Sequence, residues 1–177
     1  MNPAAGDVLI SEVEIQRRVA EMGARISGDY RDRQIIVVGI LKGSFIFIAD
    51  LIRQIDPAIP VEVEFMTVSS YGNGTTSSGE VRIEHDIGTP VEGRDLLIVE
   101  DIVDTGLTIS RIRDLMASRG AASIRIATLL EKETARGHQL TLDYIGFKIP
   151  DRFVVGYGLD SAQLYRNLKE IRIFNVQ

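Results

Sequence analysis

A chain of 177 residues, 45% hydrophobic and 25% charged, has the size and mix of one globular domain with a full core. A net charge of −5 leaves no general basic footprint for nucleic acid, and the absence of cysteine excludes disulfides and thiolate metal sites. No apolar run approaches the roughly 20 residues of a bilayer span, and Met1 to Asp7 carries no secretory-type segment, so a cytoplasmic protein binding neither membranes nor nucleic acid is expected.

Ser11 lies three residues before Glu14, the spacing of a capping box, and Ile15, Val19, Met22 and Ile26 follow at helical intervals. A first helix is therefore predicted over about 12–27. Gln34 to Leu41 is a continuous run rich in β-branched residues, the pattern of a central parallel strand. After the short turn Lys42-Gly43-Ser44, Phe45, Ile48, Ala49 and Ile52 predict a helix that stops before Pro57. Val61, Val63 and Phe65 alternate with Glu62, Glu64 and Met66, giving a strand with one wetter face. Ser69 to Gly79 is rich in Ser, Gly and Thr, with Tyr71 its sole apolar anchor, and reads as a lid or a plain surface loop. Val81 and Ile83 suggest a short strand beyond it. Leu96 to Val99 reads as a buried strand with Glu100 and Asp101 where it ends, and Ile109, Ile112, Leu115 and Met116 mark the next helix. Ile124 to Leu130, Leu142 to Ile149 and Phe153 to Tyr157 are predicted strands, and Ile171 to Val176 a last edge strand after an irregular stretch. This alternation predicts an α/β fold: a doubly wound, mostly parallel sheet flanked by helices, with ligands at the carboxyl ends of its strands.

The run Leu96-Leu97-Ile98-Val99-Glu100-Asp101-Ile102-Val103-Asp104-Thr105-Gly106-Leu107-Thr108 carries the most chemistry. Strand, tight loop and helix together present free backbone N–H groups to a phosphate. Thr105 and Thr108 add hydroxyl donors, and Gly106 lets the backbone approach the anion. Glu100 and Asp101 would repel a bare phosphate. A ligand with a phosphate at one end and hydroxyls or a bound Mg²⁺ at the other removes that conflict, and a sugar phosphate fits. The whole run resembles the phosphoribosyl-pyrophosphate signature of the type I phosphoribosyltransferases. The resemblance implies that Glu100 and Asp101 bind the ribose hydroxyls, directly or around Mg²⁺. It implies that Asp104, Thr105, Gly106, Leu107 and Thr108 cradle the 5-phosphate.

Further segments extend the likeness, towards the hypoxanthine–guanine branch. Leu41-Lys42-Gly43-Ser44 resembles that branch's pyrophosphate turn, often preceded by a cis bond, so Lys42 and Gly43 are expected there; an ordinary βα turn is the plain alternative. Ser69-Ser70-Tyr71-Gly72 matches the start of a flap that closes over the reaction centre, which puts Ser70 and Tyr71 near pyrophosphate. Lys132, in Leu129-Leu130-Glu131-Lys132, corresponds to a lysine that donates to the purine 6-oxo group and disfavours a 6-amino base; the alternative is a solvated lysine flanked by acids. Glu133-Thr134-Ala135-Arg136 departs from the Pro-Ser-Arg-Arg of many relatives. In Phe153-Val154-Val155-Gly156-Tyr157-Gly158-Leu159-Asp160 the resemblance makes Phe153 the stacking partner of the purine. Val154 and Ile102 then border the base, and Asp160 lies beside it and helps hold the metal. Arg166 would contact pyrophosphate. Core packing for Phe153 and a surface pair for Asp160 and Arg166 are the alternatives.

Taken together, the resemblance implies one domain, 1–177, with a core of about 30–150, a hood from about 1–12 and 150–177, and a flexible lid of about 69–80. It implies transfer of the phosphoribosyl group to hypoxanthine, and to guanine, with release of pyrophosphate in purine salvage. Asp104 would accept the proton from purine N7, Mg²⁺ would be the cofactor, and the chain would form a homodimer or homotetramer. A xanthine- or guanine-preferring transferase, and a pyrimidine-operon RNA-binding regulator of the same fold, are the rivals; the regulator would need a basic face. His85 and His138 match no catalytic pattern and are expected at the surface.

Overall fold

The computed structural model describes residues 5–70, 81–133 and 140–175. Ser69 and Ser70, expected to open the lid, instead end a strand and pair with Arg82 and Val81; Tyr71 and the rest of the expected lid, through residue 80, and His138 lie outside the described residues, and His85 is exposed. The elements are β1 (Ala5–Ile10), α1 (Glu12–Asp29), β2 (Ile35–Leu41), α2 (Phe45–Ile52), β3 (Val61–Ser70), β4 (Val81–His85), β5 (Asp95–Val103), α3 (Leu107–Ser118), β6 (Ser123–Lys132), β7 (Tyr144–Ile149), β8 (Val154–Val155) and β9 (Ile171–Phe174).

Six strands form one sheet in the order β4-β3-β2-β5-β6-β7, parallel throughout except for β4. The apolar runs of β2 and β5 are buried on both faces, and period-two alternation deals their side chains to two layers. Val37, Leu97, Val99 and Leu129 pack beneath α1 and α2. Ile36, Val38, Leu96, Ile98 and Ile126 pack against α3. The sheet is thus covered on both sides, as the strand–helix alternation predicts.

Helix α1 starts where expected. Glu14 N donates to Ser11 Oγ at 3.3 Å, and Ser11 N donates to Glu14 Oε2 at 2.9 Å, closing the capping box. Its buried stripe is Ile15, Val19, Met22 and Ile26.

A second sheet, of three strands in the order β1-β9-β8, is built from both ends of the described chain and forms a small hood. Here the expectations need correction. β9 is the middle strand of this sheet, not an edge strand, because it pairs with β1 on one side and β8 on the other. β1 itself was not foreseen. β8 is only two residues long, because positive φ at Gly156, Tyr157 and Gly158 turns the backbone out of extended geometry.

Candidate active site

The site lies at the switch point of the large sheet. From β2 the chain crosses through α2 to β3 on one side; from the neighbouring β5 it crosses through α3 to β6 on the other. The carboxyl ends of β2 and β5 therefore open a crevice, flanked by the Lys42 turn and the Glu100–Thr108 segment. The peptide bond Leu41–Lys42 is cis. Ser44 is buried, and its Oγ donates to Ile40 O at 2.5 Å, closing the turn.

Two glycines let three segments meet. A Cβ on Gly43 would collide with the Asp101 carboxylate, and a Cβ on Gly158 would collide with the Gly43 carbonyl. The Lys42–Gly43 turn is therefore pressed between the acid pair on one side and the Gly156–Asp160 loop on the other. Tyr157 Oη donates to Asp50 Oδ2 at 2.7 Å, tying that loop to α2.

The acid pair sits inside β5 rather than at its end. The ladder with β6 continues through Ile102 opposite Leu130 and Val103 opposite Glu131, so the strand outlasts its apolar run. Asp101 is only 8% exposed. Burial pushes the Glu100 carboxyl well above its ordinary pKa, and the adjacent Asp101 charge pushes it further; the Asp101 N–H, donating to Glu100 Oε1 at 3.3 Å, opposes them weakly.

Beyond the acids, Glu100, Ile102 to Thr108 and Ile109 line a cavity of about 120 Å³. Gly106 caps α3 in the left-handed region (φ 77°), and no side chain caps the helix. The first-turn N–H groups of a helix left in this state suit an anion, and the macrodipole adds to that preference. The Leu107 N–H reaches Thr105 Oγ1 only at 3.4 Å.

Among the described residues no three carboxylates or histidines gather as a metal cluster. Asp160 does not join Glu100 and Asp101. Its Oδ1 pairs with Arg166 Nη2 at 2.8 Å, and its Oδ2 accepts from Gln163 N at 2.7 Å. The donor set still suits Mg²⁺, which takes one or two protein carboxylates and completes its shell with substrate oxygens and water. Two adjacent acids, one of them with its pKa pushed up by burial and by its neighbour's charge, are the side chains that such a cation would relieve.

Arg166 Nη1 donates to Gly158 O at 2.7 Å, so this arginine braces the loop that presses on the Lys42 turn. Phe153 is 50% exposed and so is not a core residue. Its ring meets the edge of Phe174 at 5.6 Å, and Phe174 meets Tyr165 at 5.5 Å, a buttress that fixes an otherwise open ring. Val154 behind it is buried and Ile102 half-buried.

Lys132 is not a solvated lysine: its side chain is 13% exposed. Its Nζ donates to Asp104 Oδ2 and to Asp151 Oδ1, each at 3.0 Å. Burial is the largest single influence on this ammonium and opposes its charge, but the two carboxylates outweigh it and raise its pKa. Asp151 is the partner that sequence reasoning missed. Parallel register could have found it, since β5, β6 and β7 are consecutive neighbours whose ends bring positions 104, 132 and 151 together.

The structure thus brings together Glu100, Asp101 and the 104–108 loop, sets Lys42 and Gly43 against them, and joins Asp104 to Lys132. The family model for the phosphoribosyl transferase domain matches residues 11–162. The chain is 53% identical over 166 residues to the hypoxanthine-guanine phosphoribosyltransferase of Bacillus subtilis, covering 94% of this chain and 91% of that protein. It is 51% identical over 165 residues to the hypoxanthine phosphoribosyltransferase of Haemophilus influenzae, covering 92% and 91%. A crystal structure of a hypoxanthine phosphoribosyltransferase from Staphylococcus aureus superposes with a TM-score of 0.92 at 46% identity, covering 97% of this chain and 92% of that one. With its fold, its acid pair and its anion-ready loop in the arrangement described, the chain belongs to the phosphoribosyltransferase family.

Proposed function

We propose that the protein transfers the 5-phosphoribosyl group of phosphoribosyl pyrophosphate to hypoxanthine, and to guanine, yielding the nucleoside 5-monophosphate and pyrophosphate in purine salvage. One observation carries the reading: Glu100 and the uncapped start of α3 line a single cavity, with Asp101 next to Glu100 on β5, so a ligand that has both hydroxyls and a phosphate satisfies both. The relatives named above bear this activity in their names.

In this reading the 104–108 loop holds the 5-phosphate through backbone N–H groups and the hydroxyls of Thr105 and Thr108. Glu100 and Asp101 take the ribose hydroxyls and would hold Mg²⁺, which when bound offsets the charge of the donor and of departing pyrophosphate. Loss of pyrophosphate leaves oxocarbenium-like character at the sugar carbon. Lys42, Gly43 and Arg166, with Ser70 and Tyr71, receive the leaving group, and Asp160 steadies Arg166. Phe153 stacks on the base, Val154 and Ile102 border it, and Lys132 donates to the 6-oxo group. Asp104 takes the proton from purine N7 as the new bond forms. The 69–80 segment serves as the lid, and the chain works as one unit, 1–177, in the cytoplasm. Among the described residues no helix is long and apolar enough to cross a membrane.

Self-association belongs to the same reading. Phe45 on α2 and Val63 and Phe65 on β3 are 43%, 37% and 42% exposed. Val63 and Phe65 lie on the sheet face that α2 covers, opposite Val37 and Gly39. Such a patch supports a homodimer or homotetramer.

The test is absorbance with phosphoribosyl pyrophosphate, Mg²⁺ and each of hypoxanthine, guanine, xanthine and adenine. Turnover of hypoxanthine and none of adenine supports the reading; no turnover of any 6-oxopurine ends it. An RNA-binding regulator gains nothing from a net charge of −5, and the relatives' names favour neither it nor a xanthine preference.

A further inference from the structure

Lys132 ends β6, the middle of three neighbouring parallel strands. Asp104 lies just past the end of β5 on one side, and Asp151 just past the end of β7 on the other. An ammonium has three N–H donors in tetrahedral array and no acceptor. Two of them are spoken for, by Asp104 and Asp151 at 3.0 Å each. With both of those directions fixed, the direction of the third is fixed too.

We propose that Asp151 is a positioning residue for base selection: it anchors Lys132 so that one remaining N–H holds Asp104 and the other meets the 6-oxo group of the purine. This deepens the proposed function and rests on it. A 6-oxopurine carries O6 and N7 on the same edge. One ammonium bonded both to O6 and to the Asp104 carboxylate therefore sets that carboxylate beside N7. Lys132 need not let go of Asp104 when the base arrives, provided that Asp151 stops it from swinging toward the stronger acceptor. Asp151 is well placed for this. Arg152 N donates to Pro150 O at 2.8 Å, so the chain turns tightly just after β7, and Phe153, the stacking ring, follows two residues later. The turn that supplies the anchor also supplies the ring. Without the anchor, the lysine chain regains rotamers and keeps only Asp104 of the two carboxylates that hold it.

The experiment compares wild type, Asp151→Asn, Lys132→Gln and the double variant. It records kcat and KM separately for hypoxanthine and for phosphoribosyl pyrophosphate, with thermal melts as a folding check. In Asp151→Asn, KM for hypoxanthine should rise roughly fivefold, the upper end for a half-exposed ion pair, while KM for the ribosyl donor stays within about twofold. In the Lys132→Gln background the same Asp151 change should cost nothing more, because its action passes through the lysine. Asp151→Glu should recover part of the loss. An unchanged hypoxanthine KM, equal rises in both KM values, or a full further loss in the Lys132→Gln background each overturns the proposal. Asp151→Ser provides the same comparison if the Asn variant melts early. A wild-type protein inactive with every 6-oxopurine would instead sink the underlying function, an outcome that the wild-type arm reads by itself.

Discussion

Asp104 is about half exposed, yet it is held by the ammonium of Lys132 at 3.0 Å. In the proposed function this carboxylate takes a proton from the base and does not grip the sugar. Asp104→Asn keeps the shape and removes the basicity, so kcat should fall by about 10²–10⁴ while KM for the ribosyl donor barely moves. Stopped-assay kinetics at saturating donor checks this, and equal turnover would remove the proton-transfer role. Glu100 makes a different prediction. Its folded pKa is raised above the unfolded value, so the folded state holds the proton over a pH range where the unfolded state has lost it. The stabilisation this confers is present at acidic pH and lost as pH rises through the folded pKa. Metal-free Glu100→Gln should then melt above wild type at pH 8, by about 2–4 °C for each kcal/mol relieved, with the gap closing toward pH 5. Scanning calorimetry without divalent cations reads the gap, and a gap that widened on acidification would reverse the sign of the argument.

At the scale of elements, the Lys42–Gly43 turn has Asp101 on one side and the Gly158 loop on the other. Gly43→Ala inserts a methyl group against a nearly buried carboxylate. One of the two must give, and since displacement of about 1 Å at a reacting centre can cost about 100-fold, kcat/KM for the donor should drop at least tenfold. Initial-rate measurements over a donor series decide it. How legible such elements are in a sequence depends on where their information lies. α1 was readable because its capping box and apolar stripe are local, and β2 and β5 because unbroken β-branched runs leave few other options. The cleft was readable because its acids, glycine and hydroxyls are contiguous. The hood was less so: β1, β8 and β9 are short and find partners across nearly the whole chain, a pairing no local pattern encodes. Asp151 was overlooked for the same reason, since its meaning comes from two neighbouring strands. Asp160 shows another limit, because a motif names a residue type and not the cation, here Arg166, that it pairs with.

For the whole molecule, the exposed apolar group of Phe45, Val63 and Phe65 predicts association. Phe65→Lys should shift the sedimentation profile toward monomer at micromolar concentration, with Tm little changed, because the side chain already keeps access to solvent. A profile identical to wild type would place the contact elsewhere. The small sheet has a consequence of another kind. β1 and β8 do not pair with each other; each is joined to the sheet through β9, which is the last of the three to be translated. A nascent chain can therefore stack the large sheet on the ribosome while β1 waits without a partner. The aromatic clasp of Phe153, Phe174 and Tyr165 snaps shut only after synthesis has passed position 174. On the proposed function, competence to receive a base would then arrive in one late step, and an abortive translation product would be left with a phosphate cradle but no place for the purine.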